Sequence, residues 1–197
     1  MSEPRLVVVR HGATEWSENG RHTSRTDLPL LPSGIERART LAPVLARFSF
    51  ERVLSSPLQR AVKTAELAGF GDRIELTPDL TEWDYGDYEG LTSPQIHETD
   101  PDWNLWRDGC PGGESPVDVS LRADRVIADA VTADGDVLMF AHGHILRSLS
   151  ARWLGFEVAG GERLLLSPAT ISILGHEHAT RVLERWNAPA AVAVAAD

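Results

Sequence analysis

Cysteine occurs once in the 197 residues, at Cys110, so no internal disulfide framework exists and a reducing, cytoplasmic setting is expected. No apolar run approaches the roughly 20 residues that a membrane-spanning helix needs. Met1-Ser2-Glu3-Pro4 leads almost directly into apolar sequence, so no secretory leader is expected. Basic residues are a minority. The 19 Lys and Arg against 29 Asp and Glu give a net charge of −10, which argues against nucleic acid or an acidic membrane as partner. Neither a GxxxxGK loop nor a GxGxxG turn is present, so the glycine-rich phosphate cradles are excluded. A small anionic substrate stays open, provided that cations gather in one pocket.

What is present is an ordinary globular composition, 42% hydrophobic and 24% charged, over a length that suits one domain spanning 1–197. Leu6-Val7-Val8-Val9 is an apolar run of the kind buried on both faces of a sheet. Arg10, His11 and Gly12 follow it directly, where open α/β sheets place their ligand chemistry. Gly12 suits a sharp turn or a close approach by a ligand. Downstream, short apolar runs alternate with helical patterns. Ser33 and Glu36 are spaced as a capping box for a helix with Ile35, Ala38, Leu41, Ala42 and Leu45 on its apolar face. Arg52 to Ser55 reads as a strand, with Ser56-Pro57 as N-cap and first-turn proline of a helix from Leu58 to about Ala68.

Ile74 to Leu76 is a third strand, and 83–114 is irregular and aromatic-rich. Ser115-Pro116 opens another helix, Asp136 to Ala141 is a strong buried strand, and Ile145 to Leu154 is a helix ended by Gly155. Leu164 to Leu166, Ile171 to Leu174 and Val182-Leu183 read as closing strands, and 187–197 as a low-complexity mobile tail. The expected fold is an α/β three-layer sandwich, with a mostly parallel central sheet and helices on both faces.

The chemistry-bearing residues fall at strand ends on this map. His11 follows the first strand, Arg60 starts the helix after the second, Glu82 lies beyond the third, and His142 follows the strand ending at Ala141. In a parallel sheet these ends share one edge. A neutral imidazole can carry a phosphoryl group, and arginine forks match phosphate oxygens. A second, protonated histidine would add a donor to the equatorial oxygens. A carboxylic acid would protonate the leaving alkoxide.

RHGATEW at 10–16, SSPLQRAVKTAE at 55–66, Glu82 in LTEWDYGDYEG and FAHGH at 140–144 resemble the histidine phosphatase, or phosphoglycerate mutase-like, superfamily. The resemblance covers residues 5–154. It implies His11 as phosphorylated nucleophile, Arg10, Arg60 and His142 as phosphate pocket, and Glu82 as proton donor, with neither metal nor organic cofactor. Ser17, Thr23, Ser24, Tyr85, Gly143 and His144 are the implied substrate contacts. Ser17 stands where many members have Asn, and Thr23-Ser24 where mutases have Thr-Gly.

Mutases of this family carry paired arginines between the acid and the second histidine. Here Asp84 to Pro116 holds one arginine, Arg107, which favours hydrolysis. WNLWRDGCPGGES, EWDYGDYEG and FAHGHILR are similar to the sedoheptulose-bisphosphatase and broad-specificity acid phosphatase branch, implying sugar phosphates or bisphosphates. A phosphoglycerate mutase and a non-catalytic module binding phosphorylated ligands remain alternatives, and a homodimer stays open. A cysteine phosphatase would need arginine six residues after Cys110, where Pro116 stands. The pairs His142/His144 and His176/His178 lack further ligands for a metal; the second pair reads as a solvated hairpin turn. The aromatics between 83 and 106 either roof the substrate, with Arg107 reaching in, or pack their own loop. Arg147, one turn after His144, faces either pocket or solvent.

Overall fold

The structure is a computed structural model, and its described residues are 3–193. Six strands form one sheet: β1 (Leu6–Arg10), β2 (Phe50–Ser55), β3 (Ile74–Leu76), β4 (Asp136–Ala141), β5 (Thr170–Glu177) and β6 (Thr180–Pro189), in the order β3-β2-β4-β1-β5-β6. The first four are mutually parallel, whereas β5 runs antiparallel to β1 and β6 antiparallel to β5. The sheet is therefore mixed with a parallel majority, as expected.

Among the described residues eight α-helices surround it: α1 (Glu15–Asn19), α2 (Pro32–Leu45), α3 (Gln59–Leu67), α4 (Ser93–His97), α5 (Leu105–Asp108), α6 (Pro116–Ala130), α7 (Gly143–Trp153) and α8 (Ala190–Ala193). The alternation of β1 divides the core. Val7 and Val9 pack with Leu41, Leu45 and Ala65 of α2 and α3, while Leu6 and Val8 pack with Ile127, Ile145 and Leu149 of α6 and α7. At about 25 cal/mol per Å² of apolar area removed from water, these two layers supply the main drive for folding.

The helix starts differ from expectation in instructive ways. Ser115 and Asp118 form a reciprocal capping box at α6, with Pro116 at the first helical position. Ser33 does not cap α2. That helix starts at Pro32, with Leu31 as its N-cap, because the Leu31 N–H is drawn to the carbonyl of Ala13. Nor does Ser56 cap α3. The N–H of Gln59 is instead met by the Asp27 carboxylate, 32 residues upstream.

The 83–114 segment holds α4 and α5, each with a side-chain cap, from Thr92 and Asn104 respectively. Leu164 to Leu166 forms no strand. No strand flanks it, Leu165 is 74% exposed, and Leu166 gives its carbonyl to Arg10. Of the expected tail, residues up to Pro189 complete β6 and Ala190–Ala193 form α8; 194–197 lie outside the described residues. Among the described residues no helix is long and apolar enough to cross a membrane.

Candidate active site

Three parallel strands deliver their next residues to one edge. The N–H of His11, after β1, donates to Ala141 O at 2.9 Å. The N–H of Ser56, after β2, donates to Phe140 O at 3.0 Å, and His142 ends β4 as the N-cap residue of α7. Gly12 serves a close approach by protein backbone rather than a positive φ: a Cβ there would lie 2.6 Å from the carbonyl oxygen of Gly34 in α2. Its N–H donates to Thr64 Oγ1 of α3 at 3.0 Å, which ties the loop after β1 to that helix.

His11 is 5% exposed, and its Nδ1 lies 2.7 Å from Gly12 O. A carbonyl oxygen only accepts, so Nδ1 carries the proton and Nε2 keeps the free lone pair. Burial, then the Arg10 and Arg60 guanidinium groups, hold His11 well below the usual histidine range. A neutral imidazole with one nitrogen spoken for is a directed nucleophile.

Behind His11, with ring centroids 5.1 Å apart, stands His142. Arg60, fully buried, donates Nε–H to His142 Nδ1 at 3.1 Å. It also donates Nη1 to Thr26 O and Nη2 to Thr23 O and Ser24 O. Since Nδ1 of His142 accepts, the ring proton sits on Nε2 and donates to Ser56 Oγ at 2.8 Å. Burial and the adjacent Arg60 hold His142 well below its ordinary range too. The expectation of a protonated His142 is thus corrected: with Arg60 already donating to it, a second proton would place two cations in contact. Neither Arg60 nor His142 lines the open cleft.

Glu82, 7% exposed, faces the first turn of α7. Its Oε1 accepts from the N–H groups of Trp83 (3.0 Å) and Ile145 (2.8 Å), and Oε2 from that of His144 (2.9 Å). Two bonds saturate Oε1 and one leaves a lone pair on Oε2, the oxygen beside Arg10 and Gly143. The backbone of Glu82 is itself held. Arg122 of α6 donates to the carbonyls of Asp79, Thr81 and Glu82, and pairs with Glu114 through two 2.7 Å contacts.

A cleft of about 220 Å³ opens in front of His11. Arg10, Glu82, Tyr85, Gly143 and His144 line it, as do Ser17 and Thr23. Arg10 donates Nη1 to Leu166 O, while its buried Nε has no protein partner. Ser17 is engaged in capping α1, its hydroxyl donating to Thr14 O and accepting from Thr14 N–H. Ser24 is turned away from the cleft, its N–H and Oγ–H both donating to Glu89. Tyr85, whose phenol burial pushes well above its ordinary range, shares a 2.6 Å hydrogen bond with His144 Nδ1.

The indoles of the 83–106 segment do not roof the cleft: Trp83, Trp103 and Trp106 are core, and the one indole on its wall among the described residues is Trp16. Arg107 points away and pairs with Asp108. Arg147 does line the cleft, stacked 4.7 Å from the centre of Trp106. Burial holds the Cys110 thiol up at about 12, which leaves it inert. His176 lies in β5 rather than in the turn and pairs with Glu3, while His178 sits in the turn at positive φ. Among the described residues no three His, Cys, Asp or Glu side chains gather to hold a metal.

Sequence reasoning missed five contributors: Ser56, read as a helix cap; Glu114 with Arg122; and His22 and Arg21, both on the cleft wall. The signal for Ser56 was its place inside the block that carries Arg60. For Arg122 no local signal exists, because its three carbonyl partners lie 40 to 43 residues away.

Comparison with known proteins agrees with this geometry. The model of the histidine phosphatase superfamily (branch 1) matches residues 6–189. An acid phosphatase of Mycobacterium tuberculosis is 43% identical over 183 residues, 91% of this chain and 90% of that one. A sedoheptulose 1,7-bisphosphatase of Saccharomyces cerevisiae is 37% identical over 187 residues, 79% of this chain and 69% of that one. The solved structure of a Mycobacterium tuberculosis open reading frame product superposes with a TM-score of 0.90 at 41% identity, over 95% of this chain and 98% of that one. With the motifs, the strand-end geometry and these matches in agreement, the chain belongs to branch 1 of the histidine phosphatase superfamily.

Proposed function

We propose that this protein is a metal-independent phosphomonoesterase that hydrolyses small phosphate esters, sugar phosphates or bisphosphates, through a phosphohistidine at His11. One observation carries the reading: the Nδ1–H of His11 is fixed on Gly12 O, which leaves the free lone pair on Nε2, and His11 shares the wall of one cleft with Arg10 and Glu82. Substrate phosphate docks on Arg10, with Arg60 as a fixed positive charge behind and the neutral His142 orienting that charge. His11 Nε2 attacks phosphorus in line. The phosphorus–oxygen bond breaks, and a proton carried on Glu82 Oε2 passes to the departing alkoxide. Water then attacks the phosphohistidine and returns a proton to Glu82 as the nitrogen–phosphorus bond breaks.

The substrate class draws support from charge placement. Arg5, Arg52, Arg122, Arg125 and Arg152 pair with carboxylates, whereas Arg10, Arg21 and Arg147 line the cleft with no salt bridge among the described residues. In a chain of net charge −10, that gathers cations where an anion would enter. The relatives named acid phosphatase and sedoheptulose 1,7-bisphosphatase support the same class.

The test is release of inorganic phosphate from p-nitrophenyl phosphate and a panel of sugar mono- and bisphosphates, with chelator present. Turnover that survives chelation and disappears in His11→Ala is expected. Turnover retained in His11→Ala overturns the mechanism, and phosphoryl transfer between phosphoglycerates without release makes the protein a mutase.

A further inference from the structure

Glu89 is absent from the cleft wall, yet its carboxylate is fully occupied by one loop. The Ser24 N–H reaches both oxygens, at 3.0 and 2.9 Å. The Ser24 hydroxyl donates to Oε2 at 3.0 Å, and the Thr26 N–H donates to Oε1 at 3.0 Å. No Lys, Arg or His forms an ion pair with Glu89 among the described residues, so backbone dipoles take the place of a salt bridge. The other side of this loop holds Arg60 through the carbonyls of Thr23, Ser24 and Thr26.

One peptide plane joins the two sides. The Thr23 carbonyl and the Ser24 N–H belong to the same trans amide and point in opposite directions. Its oxygen faces the Arg60 guanidinium and its hydrogen faces the Glu89 carboxylate, so each charge polarises the amide in the sense that strengthens the other bond. Asp27 fastens the far end of the loop to α3, accepting from Gln59 N–H at 3.0 Å. Arg60 then passes the constraint on to His142 Nδ1.

We propose that Glu89 is a positioning residue: through the 23–26 loop it fixes the orientation of Arg60, and through Arg60 that of His142 behind the nucleophile. The inference rests on Arg60 and His142 serving the phosphoryl-transfer site proposed above. Glu89 touches neither the cleft nor the reacting atoms.

Glu89→Gln puts an amide NH₂ where an acceptor oxygen meets loop N–H groups, at almost constant volume. Two readouts test the proposal. The first is the ¹⁵N NMR signal of the His142 ring, which reports Nδ1 as an acceptor and needs no turnover. It is expected to shift and broaden in Glu89→Gln, while a histidine remote from the loop, His176, keeps its signal. The second is p-nitrophenyl phosphate turnover in a cycle with Arg60→Lys. Glu89→Gln alone is expected to lower kcat about tenfold, the size of one lost charge-assisted hydrogen bond. In the Arg60→Lys background it is expected to lower kcat less than twofold, because the group it positions is already changed.

An unchanged His142 signal overturns the proposal, and so does a full loss of kcat repeated in the Arg60→Lys background. A wild-type protein without turnover would instead defeat the phosphatase reading, and the ring signal would still decide whether Glu89 positions Arg60 and His142.

Discussion

The Nε–H of Arg60 donates to Nδ1 of His142 across 3.1 Å, so the pair behind the nucleophile is one cation and one neutral acceptor. Two permanent cations there would repel each other in a buried setting. The arrangement lets the Arg60 charge sit against His142 without a second cation in contact with it, and it directs the His142 Nε2–H to Ser56.

Ser56→Ala follows directly. It leaves the His142 Nε2–H, buried behind His11, without its acceptor, and an orphaned buried donor costs about 1–3 kcal/mol. In a chain of this length that lowers the melting temperature by roughly 2–4 °C per kcal/mol. The ring is also freed to turn, so kcat on p-nitrophenyl phosphate falls while KM changes little. Calorimetry and steady-state kinetics on the same preparation check both parts.

The buried histidines set a pH dependence. Burial holds His11, His22, His142 and His144 below the ordinary value of about 6.5. Below that pH the unfolded chain takes up protons that the native state refuses, so stability falls as pH falls; above it the contribution is complete and flat. Each of the four adds a slope of about 1.4 kcal/mol per pH unit between the ordinary value and its own depressed one. Melting temperature should therefore hold steady from pH 8 to 7 and drop steeply below 6.5. Because His11 stays neutral well below the usual range, the acidic limb of kcat/KM should lie lower than the onset of destabilisation. An activity limb at or above 6.5 would contradict the environment of His11.

The layered frame was legible because its signals are local. Four apolar residues before Arg10 mark β1, and Asp136 to Ala141 marks β4 residue for residue. Long-range contacts overrode local rules where the expectation failed. Ser56-Pro57 has the form of a helix start, yet Asp27 caps α3, and Ser56 is left for His142. Leu164 to Leu166 has strand composition but no partner strand, and serves Arg10 instead. That residues after β1, β2 and β4 meet at one sheet edge could be inferred, but the protonation of the histidines there could not. Whether His142 carries one proton or two depends on which donor faces its Nδ1, and that donor lies 82 residues earlier.

Arg122 supplies a prediction that separates support from contact. It touches no substrate-facing atom, but it holds the carbonyls of Asp79, Thr81 and Glu82 while pairing with Glu114. Arg122→Gln keeps a donor but loses the fork, so Glu82 should shift relative to the leaving group. General acid catalysis is worth about 10²–10⁴-fold, and partial misplacement should cost about tenfold in kcat with an alkyl phosphate. An aryl phosphate, whose leaving group needs less protonation, should lose much less. Equal losses on both substrates would mean that Arg122 acts on something other than Glu82.

Gly12→Ala tests the junction between the nucleophile loop and α2. The added methyl would lie 2.6 Å from Gly34 O and 3.1 Å from Gly34 C, both backbone atoms that no rotamer change can move. Gly34 cannot yield toward the loop either, since a Cβ placed on it would stand 2.3 Å from Ala13 O. Overpacking of this kind costs about 1–3 kcal/mol. Relief requires the loop after His11 to withdraw from α2, which carries Gly12 O, the anchor of His11 Nδ1, along with it. The variant should therefore lose stability and nucleophile orientation together, with kcat falling by more than the unfolded fraction explains. Trapping of the phosphohistidine by rapid acid quench should show the first step slowed. A variant that traps phosphoenzyme at the wild-type rate would show that the glycine serves packing alone.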